Sequence, residues 1–451
     1  MRRIFRGRCR MLFAAAVVMA VLLFANAEKV WAGDGLSGTN YKASEIDSET
    51  SAENIQFTGG DTTITLDRDM ERGSLDCNAD LTIKNQGSTP YTLTLTWGGA
   101  GNLLHAGGDL HLEGINLRIV QEAPSVGRAI VGCNITIEDC SVEIISGTKI
   151  EVISASGSLA LQNCNSFKVK APDGSGSISA GSEVMIRDSK LDLESVHGIG
   201  TAPGGAVSLE NVSGSVNAVN GHGISSENIY LASCDLTIQA VGYGITDYGS
   251  SASGITVVDS TLNVKANYGI DTAGFAGFFG SKIQIQAVRN ALSAASVVIQ
   301  DTTGTVASTD PSSFGICGDE VNFEACDLTV KSTWIPLMAK PGALTLSKDV
   351  YIKSPAEYTI TKQTIGGVDR EFLTDPKDAK ILEVVIARKR VSDPSCTVSA
   401  IPDQTYTGAA LKPAVTLKWK GTAMKAGTDY SIDSYANTTN AGTGTVKSSG
   451  K

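Results

Sequence analysis

The stretch that decides the fold runs from Leu110 to about Val330, and it repeats. It reads LHLEGINLRIV from Leu110, ITIEDCSVEII from Ile135, VMIRDSKLDLE from Val184, IYLASCDLTIQ from Ile229, ITVVDSTLNVK from Ile255, VVIQDTTGTVA from Val297 and VNFEACDLTVK from Val321. Weaker copies begin at Leu159, Val207 and near Ala276. A period of about 20 to 26 residues is that of a solenoid. Inside each copy apolar residues alternate, as in Ile135/Ile137 and then Val142/Ile144, which marks short half-buried strands with no helical pattern between them.

Units of this size stack as the coils of a right-handed parallel β-helix, each pairing its backbone with the coils before and after it. In register, one position reads Ile115, Cys140, Cys164, Ser189, Val212, Cys234, Ser260, Ser281, Thr302, Cys326. All are small or apolar, as an inward corner requires. The position before it reads Gly114, Asp139, Asn163, Asp188, Asn211, Ser233, Asp259, Gly280, Asp301, Ala325. Gly, Asn and Asp tolerate the left-handed conformation of a sharp turn. No two neighbouring coils carry Asp there, so like charges are not stacked one strand spacing (roughly 4.8 Å) apart. About ten coils are recognisable.

Met1–Arg10 carries five arginines and no acid, and Met11–Phe24 is apolar throughout. With small residues at Ala25/Ala27 and Val30/Ala32, this reads as a secretory signal peptide cleaved after Ala27 or, alternatively, Ala32. Its apolar run is short for a membrane span. No Cys follows either cleavage position, which argues against a lipoprotein. Removing 1–27 takes five arginines from a chain of net charge −10 and leaves −15. An acidic exported chain argues against nucleic acid and anionic membrane as partners, and no membrane span is expected after signal removal. Of the nine cysteines, Cys140, Cys164, Cys234 and Cys326 fall on the inward ladder and read as buried core. The others show neither a disulfide framework nor zinc spacing.

The polar segment 28–53 reads as a flexible lead-in, 54–345 as the solenoid with irregular first coils, and 346–390 as a C-terminal cap ending in an exposed linker, Arg388-Lys389-Arg390. Val391–Lys451 differs in character. Its Tyr406-Thr407-Gly408, Lys412-Pro413, Gly427-Thr428-Asp429-Tyr430 and Asn440-Ala441-Gly442-Thr443 resemble the Ig-like repeats of bacterial cell-surface proteins, which implies a small β-sandwich. That family's module usually continues through a further strand, which implies a truncated copy here. Without a sorting signal or hydrophobic tail, the expectation is a fragment, or a protein released or held non-covalently.

Over roughly 54–332 the solenoid resembles, in pattern and not in catalytic motifs, the pectate-lyase-like β-helix superfamily. Membership implies one of several functions, since that superfamily includes polysaccharide lyases, glycoside hydrolases and non-enzymatic adhesins. Gly221-His222-Gly223 looks like the Gly-His-Gly of polygalacturonases, but the aspartate cluster and downstream Arg-x-Lys of those enzymes have no counterpart. The Ca²⁺ cage of a lyase has none either, since Arg187 and Asp188 stand without further acids around them. The four histidines, His105, His111, His197 and His222, form no triad or metal pattern. No catalytic residue, metal ligand or cofactor is assigned.

His222-Gly223-Ile224 is one copy of a repeated element. The same slot holds His197-Gly198-Ile199, Tyr243-Gly244-Ile245, Tyr268-Gly269-Ile270 and Phe314-Gly315-Ile316, with Arg128 earlier and Asn290 between. His197, His222, Tyr243 and Tyr268 are therefore the candidate ligand-binding residues. If the glycines are bends, the rings face outward as a stripe on which sugar rings stack. If the glycines are mid-strand, the rings are core. The sequence thus points to a secreted or cell-surface, non-catalytic protein of adhesin type whose partner is an extracellular glycan or other cell-surface ligand. The alternative is a carbohydrate-active enzyme, a polysaccharide lyase or glycoside hydrolase.

Overall fold

Three strands make each turn of the chain. In one turn they are Ile135–Glu138, Ser141–Ser146 and Glu151–Ala155, on faces termed A, B and C. The computed structural model describes residues 35–450, apart from 50–52, 98–100, 122–126, 148–150, 174–175, 248, 250, 377–379, 406 and 441. The signal peptide and both cleavage positions lie outside the described residues, as do Tyr406 and Ala441 of the C-terminal motifs. No helix among the described residues is long and apolar enough to cross a membrane.

Up to the C-terminal cap the strands pair in parallel with their counterparts one turn away, as in Leu110↔Ile135↔Leu159 on face A. The result is an all-β parallel solenoid of about 13 turns, more than the ten legible in the repeat. The additional turns lie at the start, before Leu110, where coil length varies. Gly35–Leu36 and Asn40–Lys42 already pair in parallel with Asn54–Phe57 and Thr62–Leu66, and a short helix, Ala43–Glu49, follows them with Ala43 and Ile46 buried. The stretch 35–49, read from sequence as part of a flexible lead-in, is thus built into the first coil. Its polar composition hides a few well-placed apolar residues.

The core is a set of ladders, one of which runs Ile64, Ile83, Leu112, Ile137, Leu161, Ile186, Leu209, Leu231, Val257, all buried. Between faces A and B the whole turn row from Gly114 to Ala325 has φ between +43° and +65°. Side chains cap these turns across coils, with Asn211 Nδ2 donating to Asp188 Oδ1 at 2.6 Å. The next ladder is hydrogen-bonded as well as small. Ser260 Oγ accepts from Cys234 N at 2.9 Å and donates to Val258 O at 2.7 Å, and Ser189 repeats this with Cys164 N and Arg187 O. A thiol fits the same place, with Cys234 Sγ 3.3 Å from Ala232 O. All eight described cysteines are free thiols, and burial pushes Cys140 and Cys326 up to about 12.

At the C-terminal end the direction of pairing reverses. Glu383–Arg388 lies antiparallel to Asp327–Lys331, the last face-B strand, and Val368–Thr374 lies antiparallel to Ile335–Ala339 on face C. The basic triplet is not a free linker. Arg388 reaches Asp301 and Asp327, each at 3.6 Å, and Arg390 pairs with Asp327. Beyond it a small antiparallel module contains Cys396–Val398, Leu417–Trp419 and Thr422–Ala423, with a separate pair, Tyr430–Ala436 and Thr445–Gly450. Tyr351 of the cap meets it, its ring 4.9 Å from that of Trp419 and its hydroxyl donating to Asp393 at 2.7 Å.

Candidate functional site

The ring slot lies where face B bends into face C. In two coils the faces are joined by one continuous strand, Asp235–Thr246 and Thr261–Asp271, with a register shift between Ala240 and Tyr243. The glycines are the bends. A Cβ at Gly198, Gly223, Gly244 or Gly269 would enter the core, 2.5 Å from Val216, 2.4 Å from Ile238, 2.2 Å from Val264 and 2.6 Å from Ile285 respectively. The glycine and the isoleucine after it therefore both face inward, and the ring before it is turned out. Ile199, Ile224, Ile245 and Ile270 are buried, whereas His197, His222, Tyr243 and Tyr268 are half-buried. The register also fills the slot in the earlier coils, where Arg128 pairs with Glu151 at 2.7 Å and Glu151 aligns with Gly176.

The rings form one column, with centroids 5.8 Å apart for His197–His222, 5.2 Å for His222–Tyr243 and 4.6 Å for Tyr243–Tyr268. The tyrosine pair is stacked, only 18° from parallel. Arg289 from the following coil sits 5.4 Å from the Tyr268 centroid and donates to its hydroxyl at 2.7 Å. This alters the mode the sequence suggested. Much of the ring faces is spent within the column, so what points outward is mainly edges and polar tips rather than free faces for sugar stacking.

The imidazoles are tied to the next coil. His222 Nδ1 accepts from Tyr243 N at 3.1 Å, and His197 Nδ1 accepts more loosely from His222 N at 3.4 Å. An accepting Nδ1 places the proton of the neutral ring on Nε2. Burial, with His197 beside it as a second cause, pushes His222 down from 6.5 to about 4, and burial lowers His197 too. A folded value below the unfolded one means that the unfolded chain takes up protons first as pH falls. The contribution of His222 is complete above about pH 6.5 and drains away towards pH 4. Thermal unfolding followed between pH 7 and 4 should show this loss, and His222→Gln should flatten it.

Beside the column runs a groove of about 570 Å³ along the solenoid axis. Its floor is an alanine ladder in register, Ala218, Ala240, Ala266 and Ala287. Asn217, Gln239, Lys265 and Gln286 line one side, and Val219, Val241, Asn267 and Val288 the other. Val241 and Val288 are more than half exposed, at 57% and 51%. No described lining residue is a carboxylate. Sequence reasoning missed this groove although the signal was present: NAV at 217–219, QAV at 239–241, KAN at 265–267 and QAV at 286–288 recur once per coil, just ahead of the ring slot.

Comparison with family models, with curated proteins and with solved structures found no match. The site is read from its geometry alone. Of the candidate residues, the structure brings His197, His222, Tyr243 and Tyr268 into one contiguous column, while His105 and His111 lie on earlier coils, far along the axis from it.

Proposed function

We propose that this chain is a non-catalytic carbohydrate-binding solenoid of secreted or cell-surface adhesin type, and that an extended glycan lies in the groove beside the ring column. The groove lining carries this reading. Polar side chains, the amides of Asn217, Gln239 and Gln286 with Lys265 between the last two, repeat roughly every 4.8 Å along one side, a spacing set by strand pairing. Each amide offers both donors and an acceptor to sugar hydroxyls. The alanine floor and the exposed Val241 and Val288 suit the C–H surfaces of pyranose rings. The ring column stiffens the adjacent corner and adds a row of polar tips. Hydrolysis of a glycosidic bond ordinarily needs two carboxylates flanking it, and the groove offers amides and one lysine instead. The parallel solenoid is compatible with the pectate-lyase-like superfamily, and the C-terminal module with an Ig-like surface repeat, which agrees with export by the amino-terminal signal.

The test is affinity electrophoresis of the mature protein against a polysaccharide panel, with assay of reducing and unsaturated ends. A retained polysaccharide should lose at least about tenfold in affinity when Val241→Asp blocks the groove or Gln239→Ala and Gln286→Ala remove the amides. Retention unchanged in folded variants would move the site elsewhere. New sugar ends produced by the wild-type protein would overturn the non-catalytic reading in favour of a lyase or hydrolase.

A further inference from the structure

The outer surface of the early coils carries a cluster that neither the groove nor the ring column uses. His111 and Glu113 stand two residues apart on Leu110–Glu113, so both project from the outward side of that strand. Glu138 ends the next face-A strand, Ile135–Glu138, and is the register partner of Glu113. His111 Nε2 lies 2.8 Å from Glu138 Oε1, and one ligand atom from each of the three residues falls within 4.8 Å of the others.

The charge arrangement is unlike the rest of this surface. At three other places a carboxylate is met by a guanidinium from the neighbouring coil, Arg118–Glu143 at 3.2 Å, Arg128–Glu151 at 2.7 Å and Arg187–Glu210 at 3.1 Å, and other outward carboxylates align with neutral or basic residues, as Asp192 does with Lys168 and Ser215. Glu113 and Glu138 instead stack like on like, one strand spacing (roughly 4.8 Å) apart. Glu113 makes no ion pair among the described residues, although Lys84 aligns with it on the preceding coil, and Gln162 follows Glu138 on the next. Two like charges held against an imidazole are what a divalent cation neutralises.

We propose that His111, Glu113 and Glu138 bind a divalent transition-metal ion of the Zn²⁺ class, leaving its remaining positions to water. One nitrogen and two carboxylate oxygens suit borderline ions, whereas Ca²⁺ and Mg²⁺ favour all-oxygen shells. All three side chains are solvent-accessible, so they can rotate inward from their present separation to ligand distances of roughly 2.0–2.2 Å about one ion. Because the ligands come from two successive coils, the ion bridges those coils.

The experiment uses the untagged full chain, freed of metal by a chelator, titrated with Zn²⁺ by calorimetry and followed by thermal unfolding. One site and a raised Tm are expected with Zn²⁺, and no shift with Ca²⁺ or Mg²⁺ at the same concentration. His111→Ala should weaken Zn²⁺ binding at least about tenfold. Glu113→Gln, at an exposed position, should do the same with the metal-free Tm unchanged, which separates lost ligation from lost folding. No heat of binding in the wild-type protein, or Zn²⁺ binding undiminished in both variants, would overturn the proposal.

Discussion

Gly244→Ala should destabilise the solenoid by about 3 kcal/mol, the upper range for overpacking a core. The added Cβ would stand 2.2 Å from Val264 Cγ1 and 2.7 Å from the carbonyl oxygen of Gly269. Neither neighbour can yield cheaply. Val264 is a buried rung between Ile238 and Ile285, and Gly269 repeats the same bend one coil on. Gly176 occupies the ring slot of an earlier coil, yet a Cβ there meets nothing within 4 Å. Gly176→Ala should therefore be neutral, or stabilising by a few tenths of a kcal/mol through the unfolded chain. Urea unfolding of the two variants side by side checks the claim. Equal effects would mean that the bend tolerates a side chain and that the outward turn of the rings has another cause. Solenoid coils touch only their neighbours, so hydrogen exchange should place the damage in the coils around position 244.

Asp247→Ala should cost about 2–4 kcal/mol, because one carboxylate holds together a corner shared by two coils. Its Oδ1 accepts from Gly249 N at 2.7 Å, and its Oδ2 accepts from Thr272 Oγ1 at 2.6 Å, from Ala273 N at 2.9 Å and from Ser253 Oγ. Truncation leaves the hydroxyls of the buried Thr272 and Ser253 without their acceptor, while the exposed Gly249 and Ala273 amides turn to water. Asp247→Asn keeps one accepting oxygen and should fall between wild type and alanine. An alanine variant as stable as wild type would show that the corner is held by its backbone pairing alone.

Much of this architecture is written locally in the chain. The turn row was legible because a left-handed residue is needed at the same step in every coil, and Asp139, Asn163, Asp188, Asn211 and Asp259 advertise it. Even Ser233 and Ala325, poor indicators by themselves, follow the register. The inward ladder was legible for a similar reason, since Cys, Ser and Thr satisfy one volume and one set of carbonyls. The ring slot was found, but its direction was not decidable from alternation, because Gly223 and Gly244 break the period of two with a bend that only core packing reveals. The groove went unread because Ala218, Ala240, Ala266 and Ala287 carry no chemistry individually and matter only as a floor. Coil count suffered at the start, where Gly35–Leu36 and Asn40–Lys42 lack the repeat's turn residues and are recognised only by what they pair with.

The reversed strand Glu383–Arg388 has a consequence beyond closing the last coil. A stack of identical rungs is a polymer in principle, since its final edge is a template for the first rung of another molecule, and filaments can grow by that addition. Here Asp327–Lys331 meets a strand of opposite direction, fixed by Arg388 and Arg390 on Asp327, in place of one more parallel rung. An incoming copy would find no parallel docking edge at that face, so the cap acts as a chain terminator for a self-templating geometry there.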